Sequence, residues 1–373
     1  MKKENSSERK GKKLGFIRFT VYTFAVLFNG IVALCMLIAK TACFIDPAEH
    51  ILPSYLGLAF PYLLLANTAF LLFWIARKKI YFLIPIIAFV VCYSETRRTF
   101  SIGHDHKAPG DTLSVTSYNV QMFQFFAPKE KNQTLEYILN CGSDIVCIQE
   151  FGHSTRKGYL SQKEITDTLS TLYPYCAVYE NQLSWNAQIG VAILSKYPVV
   201  KKGYIDYESE HNSAIYADIL FKGDTIRVFD CHFESNKLTE EEKATLRKIK
   251  AVSKDDANSV VNSVSTKMST SYKVRAKQAK VMEELIQKTE YPIILCGDFN
   301  DVPVSYAYNT VKGDKLVDSF EECGSGYGYT YNGKLFHFRI DQIMHSKEGK
   351  ALRFQIGKEK YSDHYPISCK IVF

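Results

Sequence analysis

The 373 residues suffice for one large domain or two ordinary ones, and 46% of them are apolar, but apolar runs and charge are unevenly spread. Residues 1–100 carry 13 Lys/Arg against 5 Asp/Glu, while residues 101–373 carry 33 against 34, so the net charge of +7 belongs to the N-terminal part. A near-neutral remainder argues against a dedicated duplex-DNA binder, which carries a basic surface, and ten cysteines without a CxxC pair or Cys/His zinc spacing argue against a zinc module or a disulfide framework.

Met1 to Lys13 is polar and basic and reads as a flexible cytoplasmic tail. Residues 19–39 hold no charge and are long enough to span about 30 Å of hydrocarbon as a helix. A cleaved signal peptide is the rival, but a second uncharged run at 51–75 follows, and two spans in tandem disfavour cleavage. A third run, Ile80 to Tyr93, is short for a span, although Arg77, Lys78, Lys79, Arg97 and Arg98 can snorkel at its ends. The predicted anchor is therefore residues 1–100, with helices at 19–39, 51–75 and 79–95. Seven Lys/Arg precede the first span, which keeps the N-terminus cytoplasmic. If the third run crosses, the remainder is extracytoplasmic, on the periplasmic side; if not, it is cytoplasmic. Crossing is the preferred reading.

Residues 101–110, with Gly103, Pro109 and Gly110, read as a linker, and 111–373 as the second domain. Asp111 to Val120 alternates as a strand ending at Asn119. Thr134 to Cys141 has helical spacing and stops at Gly142. Asp144 to Ile148 is an apolar strand that delivers Gln149 and Glu150. Within Trp185 to Pro198, residues 191–194 form the next strand. Residues 213–220 and 225–231 form a hairpin about Lys222-Gly223-Asp224, its second arm ending at His232. Leu238 to Val252 and Lys273 to Lys288 read as helices, with Ser253 to Ser271 a mobile loop between them. Ile293 to Leu295 form a buried strand that runs into Gly297-Asp298-Phe299-Asn300 and Pro303. Gly324, Gly326 and Gly328 read as a turn, because no strand-to-helix context supports a nucleotide loop. Phe338 to Met344 and Tyr365 to Val372 close the chain, and Cys147 and Cys296 sit in apolar runs as buried free thiols.

One pattern recurs: successive strand ends carry Asn119, Glu150, His232, Asp298 with Asn300, Asp341, and Asp363 with His364. Singly, each is an ordinary turn residue, and His153, His211, His337 and His345 default to solvated surface. Jointly, carboxylates, amides and histidines at one lip suit metal-assisted hydrolysis. The segments SYNV (117–120), DIVCIQE (144–150), GVAILSKYP (190–198), DCHFES (230–235), GDFNDVP (297–303), RIDQI (339–343) and SDHYP (362–366) resemble, in order, the endonuclease/exonuclease/phosphatase superfamily of DNase I-like metal-dependent phosphoesterases. GDFNDVPVSYAY and DSFEECGSGYGYTY resemble its membrane-tethered bacterial members with three N-terminal helices.

The resemblance implies a four-layer α/β sandwich behind a helical transmembrane anchor. It implies Glu150, Asn119 and Asp363 as ligands of Mg²⁺ or Mn²⁺, which oxygen donors suit. Asp298 is implied to position or deprotonate the attacking water, with Asn300 holding it and a phosphate oxygen. His364, kept cationic by Asp341, and His232 are implied to bind phosphate or protonate the leaving group, with acid and base roles interchangeable. Arg275 adds positive charge at the site or is a surface helix residue. The implied substrate is a phosphoester in nucleic acid, a phospholipid head group or a small molecule; the second partner is the bilayer, and no protein partner is predicted. The alternative is a catalytically silent binding module on the same fold.

Overall fold

The computed structural model describes residues 2–107, 111–124, 132–184, 186–207, 209, 212–249, 253–333 and 336–373. Pro109, Gly110, Trp185, His211 and the predicted helix end at 250–252 lie outside the described residues.

Strands β1 (Ser101–Ile102), β2 (Leu113–Asn119), β3 (Ile145–Ser154), β4 (Tyr175–Ser184), β5 (Ala187–Ser195), β6 (Val199–Ile205), β7 (Ala214–Phe221) and β8 (Asp224–His232) come first. They are followed by β9 (Ile293–Asp298), β10 (Leu316–Asp318), β11 (Ser325–Gly326), β12 (Tyr331–Asn332), β13 (His337–Phe338), β14 (Asp341–Ser346), β15 (Lys350–Ile356) and β16 (Ile367–Val372). Two six-stranded mixed sheets result, ordered β15-β16-β2-β3-β5-β4 and β10-β14-β9-β8-β7-β6. Their facing sides share one core that includes Val115, Cys147, Ile193, Ala217, Val228, Ile294, Cys296 and Ile343. The outer side of the first sheet (Tyr118, Val146, Ile148, Leu194) packs under Leu135, Ile138, Ile165 and Leu169 of covering helices. That of the second (Phe229, Leu295, Met344) packs under Ala279, Met282 and Ile286. This is the expected four-layer sandwich. Central strands buried on both faces must be apolar throughout, which explains their continuous runs.

The segment expected to be a mobile loop, Ser253 to Ser271, is instead the first half of one helix, Lys254–Lys288. Ser253 caps it by accepting from the Asp256 N–H, and Val264 and Tyr272 bury one stripe of it. The Lys222-Gly223 turn has φ of 53° and 101°, as a two-residue hairpin requires. Gly326 and Gly328 sit at φ of 79° and 65°, so this run is a turn.

The N-terminal helices α1 (Lys2–Thr41) and α2 (Leu52–Ala76) lie antiparallel, and Gly15–Thr41 and Leu52–Ala76 are long and apolar enough to cross a membrane. The tail expected to be flexible continues α1 back to Lys2, since extending an existing helix costs little. The third run is not one helix. Its apolar part, ending in α3 (Leu83–Val91), meets α4 (Tyr93–Thr99) at a bend of 76°. The apolar part begins where Tyr81 packs on Trp74, whose indole N–H donates to Asn29. It ends where Lys40 donates to the Val91 carbonyl at 2.7 Å. The stretch thus runs alongside the second half of α1, from the level of Asn29 to that of Lys40. The bend sends Arg97 and Arg98 onto the sandwich rather than out to snorkel: Arg97 donates to the Glu321 carbonyl (2.9 Å), Arg98 to Asn309 (3.2 Å).

The expected linker is docked as well, with Ser101 and Ile102 pairing with Gly326 and Ser325. The N-terminal helices and the sandwich share a core, because Val304 is packed among Met36, Ala39, Cys43, Phe60, Ala88 and Cys92. Gly57 makes room for it: a Cβ there would lie 2.2 Å from the Val304 carbonyl oxygen. Gly57→Val must push α2 off this loop, at a cost of about 1–3 kcal/mol. A lower denaturation temperature of the detergent-solubilised chain is expected; an unchanged one would contradict the close approach.

Candidate active site

The lip of the sandwich where the sheets meet collects the candidate residues by strand register. In the second sheet His232, Asp298 and Asp341 are lateral neighbours on β8, β9 and β14. Asp341 opens its strand rather than ending it, as predicted for all six positions; β14 runs antiparallel to β9, so its start meets the end of β9. In the first sheet Asn119 ends β2 opposite Gln149. Glu150 is not a strand end either: β3 continues to Ser154, and Glu150 occupies a bulge at φ 50° that turns it out of the ladder. Asn300 (φ 49°) and Gln121–Gln124 (φ 46° to 55°) add left-handed backbone at the same lip, where strain tends to gather.

Asp298 Oδ2 is the atom on which the cluster converges. It accepts from Asn119 Nδ2 (3.0 Å) and Asn300 Nδ2 (3.4 Å), and lies 3.7 Å from His364 Nε2 and 3.8 Å from His232 Nε2. The other oxygen accepts from the Asn300 N–H at 2.8 Å. Asn119 Nδ2 also reaches Glu150 Oε1 (3.2 Å), and His232 Nε2 lies 3.9 Å from the same oxygen. His364 Nδ1 donates to Asp341 Oδ2 at 2.9 Å. Asp363 is less engaged: the Ser362 hydroxyl, donated to the Asn119 carbonyl at 2.8 Å, lies 3.4 Å from its carboxylate. The geometry therefore links Asn119, Glu150, His232, Asp298, Asn300, Asp341 and His364 directly, with Asp363 beside them.

Burial sets the charges. Asp298 is pushed up to about 6 by burial and the Asp341 charge, against the pull of His364 and His232. Burial also raises Glu150, with Asp363 and Asp341 adding, against the Asn119 bond and His364. His232 is held below the usual histidine range by burial, so it is neutral at pH 7. Burial works against charge on His364 too, but Asp341 and Asp298 overcome it and raise it well above that range. Four carboxylates thus face one cationic histidine, an oxygen-rich, electron-rich lip that suits a hard divalent cation. Asp298, Asp341 and His364 also bring ligand atoms within 4.8 Å of one another. A histidine held cationic by Asp341 has no free lone pair for a metal, which favours the Glu150 side for an ion.

Arg275 takes neither expected role. It is buried behind the lip, donating to Asp301 (3.2 Å), the Glu234 carbonyl (2.8 Å) and Asn236 (3.1 Å). It ties the loop after His232 to the loop after Asp298. His345 is fully buried against Glu322 (2.9 Å) and His153 is buried 3.0 Å from Glu180, so neither is solvated surface; His337 is exposed. Two inner residues were missed. Gln149 Nε2 donates to the buried Asp230 (2.6 Å) and to Ser117 (3.0 Å), joining the sheets under the lip. Their only mark in the sequence is polarity within apolar strands.

A model of the endonuclease/exonuclease/phosphatase family matches residues 116–364, and a model of a domain of unknown function matches residues 22–99. No curated protein matches. Among solved structures, an endonuclease/exonuclease/phosphatase from Beutenbergia cavernae DSM 12333 is similar at 13% identity and TM-score 0.50, over 70% of this chain and 72% of that one. D. rerio TDP2 complexed with a single strand DNA product is similar at 17% identity and TM-score 0.49, over 71% of this chain and 100% of that one. A mannosyl-6-phosphatase of Bacteroides thetaiotaomicron VPI-5482 is similar at 16% identity and TM-score 0.45, over 70% and 100%.

Asp230 supplies a pH signature. Burial pushes its carboxyl up to about 8, against the bonds from Gln149 and the Ile148 backbone. The unfolded chain releases that proton near the ordinary value of about 4, so stability falls as pH rises from there towards 8. Asp230→Asn removes this loss. The melting temperature of the variant is expected to gain on that of the parent steadily between pH 5 and 8; a constant difference would place the carboxyl in contact with water.

Proposed function

Because the chain belongs to the endonuclease/exonuclease/phosphatase family of metal-dependent phosphoester hydrolases, we propose that it is a membrane-anchored, Mg²⁺- or Mn²⁺-dependent phosphoesterase centred on Asp298. The observation that carries this is the convergence of Asn119, Asn300, His232 and His364 on one buried carboxylate oxygen. Residues 1–100 are the anchor and residues 111–373 the catalytic part. Seven basic residues ahead of the first span support a cytoplasmic N-terminus, and taking the short third run alongside α1 as a further crossing makes the catalytic part extracytoplasmic.

Glu150 and Asn119, with Asp363, would hold the ion, which when bound polarises the phosphate and offsets charge on the leaving oxygen. Asp298, held by the Asn300 backbone and side chain, orients the attacking water and takes its proton, a task its raised acidity range suits. The cationic His364, braced by Asp341, faces the phosphate as a fixed positive charge. Neutral His232, whose buried Nε2 has no hydrogen-bond partner among the described residues, is free to bind a phosphate oxygen or to exchange a proton with the leaving group. Arg275 is a positioning residue that holds both flanking loops.

The full chain in detergent is assayed with Mg²⁺ or EDTA on plasmid DNA, RNA, phosphoinositides and sphingomyelin. Asp298→Asn and Glu150→Gln are each expected to lower turnover by about 100-fold or more, and EDTA to abolish it. Unchanged turnover in Asp298→Asn would remove it from the chemistry.

A further inference from the structure

The hairpin of β12 and β13 packs against the site with one arm and against α2 with the other. Its first arm touches the reacting groups: the Tyr331 ring packs edge-on against His364 at 5.3 Å, and the Asn332 N–H donates to the Asp363 carbonyl at 2.7 Å. Just before it, the Thr330 hydroxyl accepts from the Ile340 and Asp341 N–H groups, both at 3.1 Å. Its second arm touches α2, where Phe338 meets the Tyr62 ring edge-on at 6.3 Å and packs with Leu58, Val302 and Ile340.

The depth of that contact follows from the charges. Lys40, Asp46, Glu49, Glu95, Arg97 and Arg98 gather at this end of the bundle, while residues 19–39, 52–76 and 80–92 hold none. Gly57 is level with Ala42, the Cβ added at Gly57 lying 3.1 Å from that of Ala42. Tyr62 is five residues further along α2, about 7 Å deeper. That puts it at the boundary between head groups and acyl chains, where tyrosine is favoured. Tyr62 is 48% exposed, and Phe336, stacked on Phe338 at 5.6 Å, is 45% exposed, so both rings present apolar area at this level. Two aromatic rings open to water cost free energy that a bilayer surface removes.

We propose that the site hydrolyses phosphoesters carried on bilayer lipids, because the hairpin packed on His364 is also seated on α2 at the level of the membrane surface. This rests on the phosphoesterase reading above. The near-neutral charge of residues 101–373 disfavours long polyanions, which need a basic track. The step consumes one water: its oxygen bonds to phosphorus, the ester P–O bond breaks, and the departing oxygen takes the proton.

The full chain is reconstituted in phosphatidylcholine nanodiscs doped with phosphatidic acid or phosphatidylglycerol, and turnover is compared with glycerol 3-phosphate and glycerophosphoglycerol in solution, and with plasmid DNA. At least one doped lipid is expected to turn over about tenfold or more faster than its soluble counterpart at equal bulk concentration, since the shared bilayer raises its effective concentration. Phe336→Ser should abolish that advantage and leave soluble-ester turnover unchanged, and Phe336→Leu should restore it. Soluble esters or DNA cleaved as fast as lipid, in an Asp298-dependent way, overturn this inference and leave the phosphoesterase reading intact. Turnover indifferent to Asp298→Asn overturns both. Independently of substrate, a Phe336→Trp chain in brominated-lipid nanodiscs should lose more fluorescence than the parent; an equal loss places the hairpin in water and overturns the proposal.

Discussion

Everything at the lip of this sandwich follows from burying the carboxylate of Asp298. A lone carboxylate taken out of water is costly unless hydrogen bonds and opposite charge replace the solvent. Here two amide groups, a backbone N–H and a cationic histidine do so, supplied by Asn119, Asn300 and His364 from three parts of the chain. The remaining acids, Glu150, Asp341 and Asp363, deepen the negative field rather than relieve it. Asp341 is answered by His364. Glu150 is answered only in part, by the amide of Asn119, and that leaves the demand for a cation on its side of the lip. The same field splits the histidines, one held cationic beside Asp341 and the other kept neutral by burial, so a fixed charge and a group free to exchange protons stand on either side of one oxygen.

How much of this could be read in the sequence depends on whether local pattern or tertiary contact decides. The central strands were legible because both faces are buried, and Ile293–Leu295 or Val191–Leu194 could hardly be anything else. Edge strands Tyr175–Ser184 and Val199–Ile205 were not, since one face meets water and the sequence there is polar. Lys350–Ile356 was overlooked although its apolar residues nearly alternate. The helix Lys254–Lys288 was half missed because Ser, Thr and Asn on its exposed face resemble a loop; Val260, Val264, Met268 and Tyr272, four residues apart, were the signal available. At the site, residue types at motif ends pointed to the right groups. What Arg275 and Asp230 do could not be read, because their partners lie in other elements: Asp301 and the Glu234 loop for one, Gln149 for the other.

The N-terminal helices are joined to the sandwich by more than a linker. Val304 follows the Asp298–Asp301 loop and is packed inside the helical bundle, and the bend at Cys92 turns α4 so that Arg97 and Arg98 grip the sandwich. The buried Arg339 completes this join, donating to Asp318 at 2.7 Å and to the Arg98 carbonyl at 3.0 Å. A shared core of this kind holds the Asp298–Asp301 loop at a fixed height above the apolar helices, where a flexible linker would let it sample every orientation.

The most direct test of the account is where a divalent cation sits. Mn²⁺ binding to the full chain, followed by electron paramagnetic resonance, should report a bound ion that Glu150→Gln removes and Asp341→Asn retains. An ion that survives Glu150→Gln but is lost in Asp341→Asn would place it on Asp298, Asp341 and His364 instead, and would contradict the assignment of His364 as a protonated, phosphate-facing group.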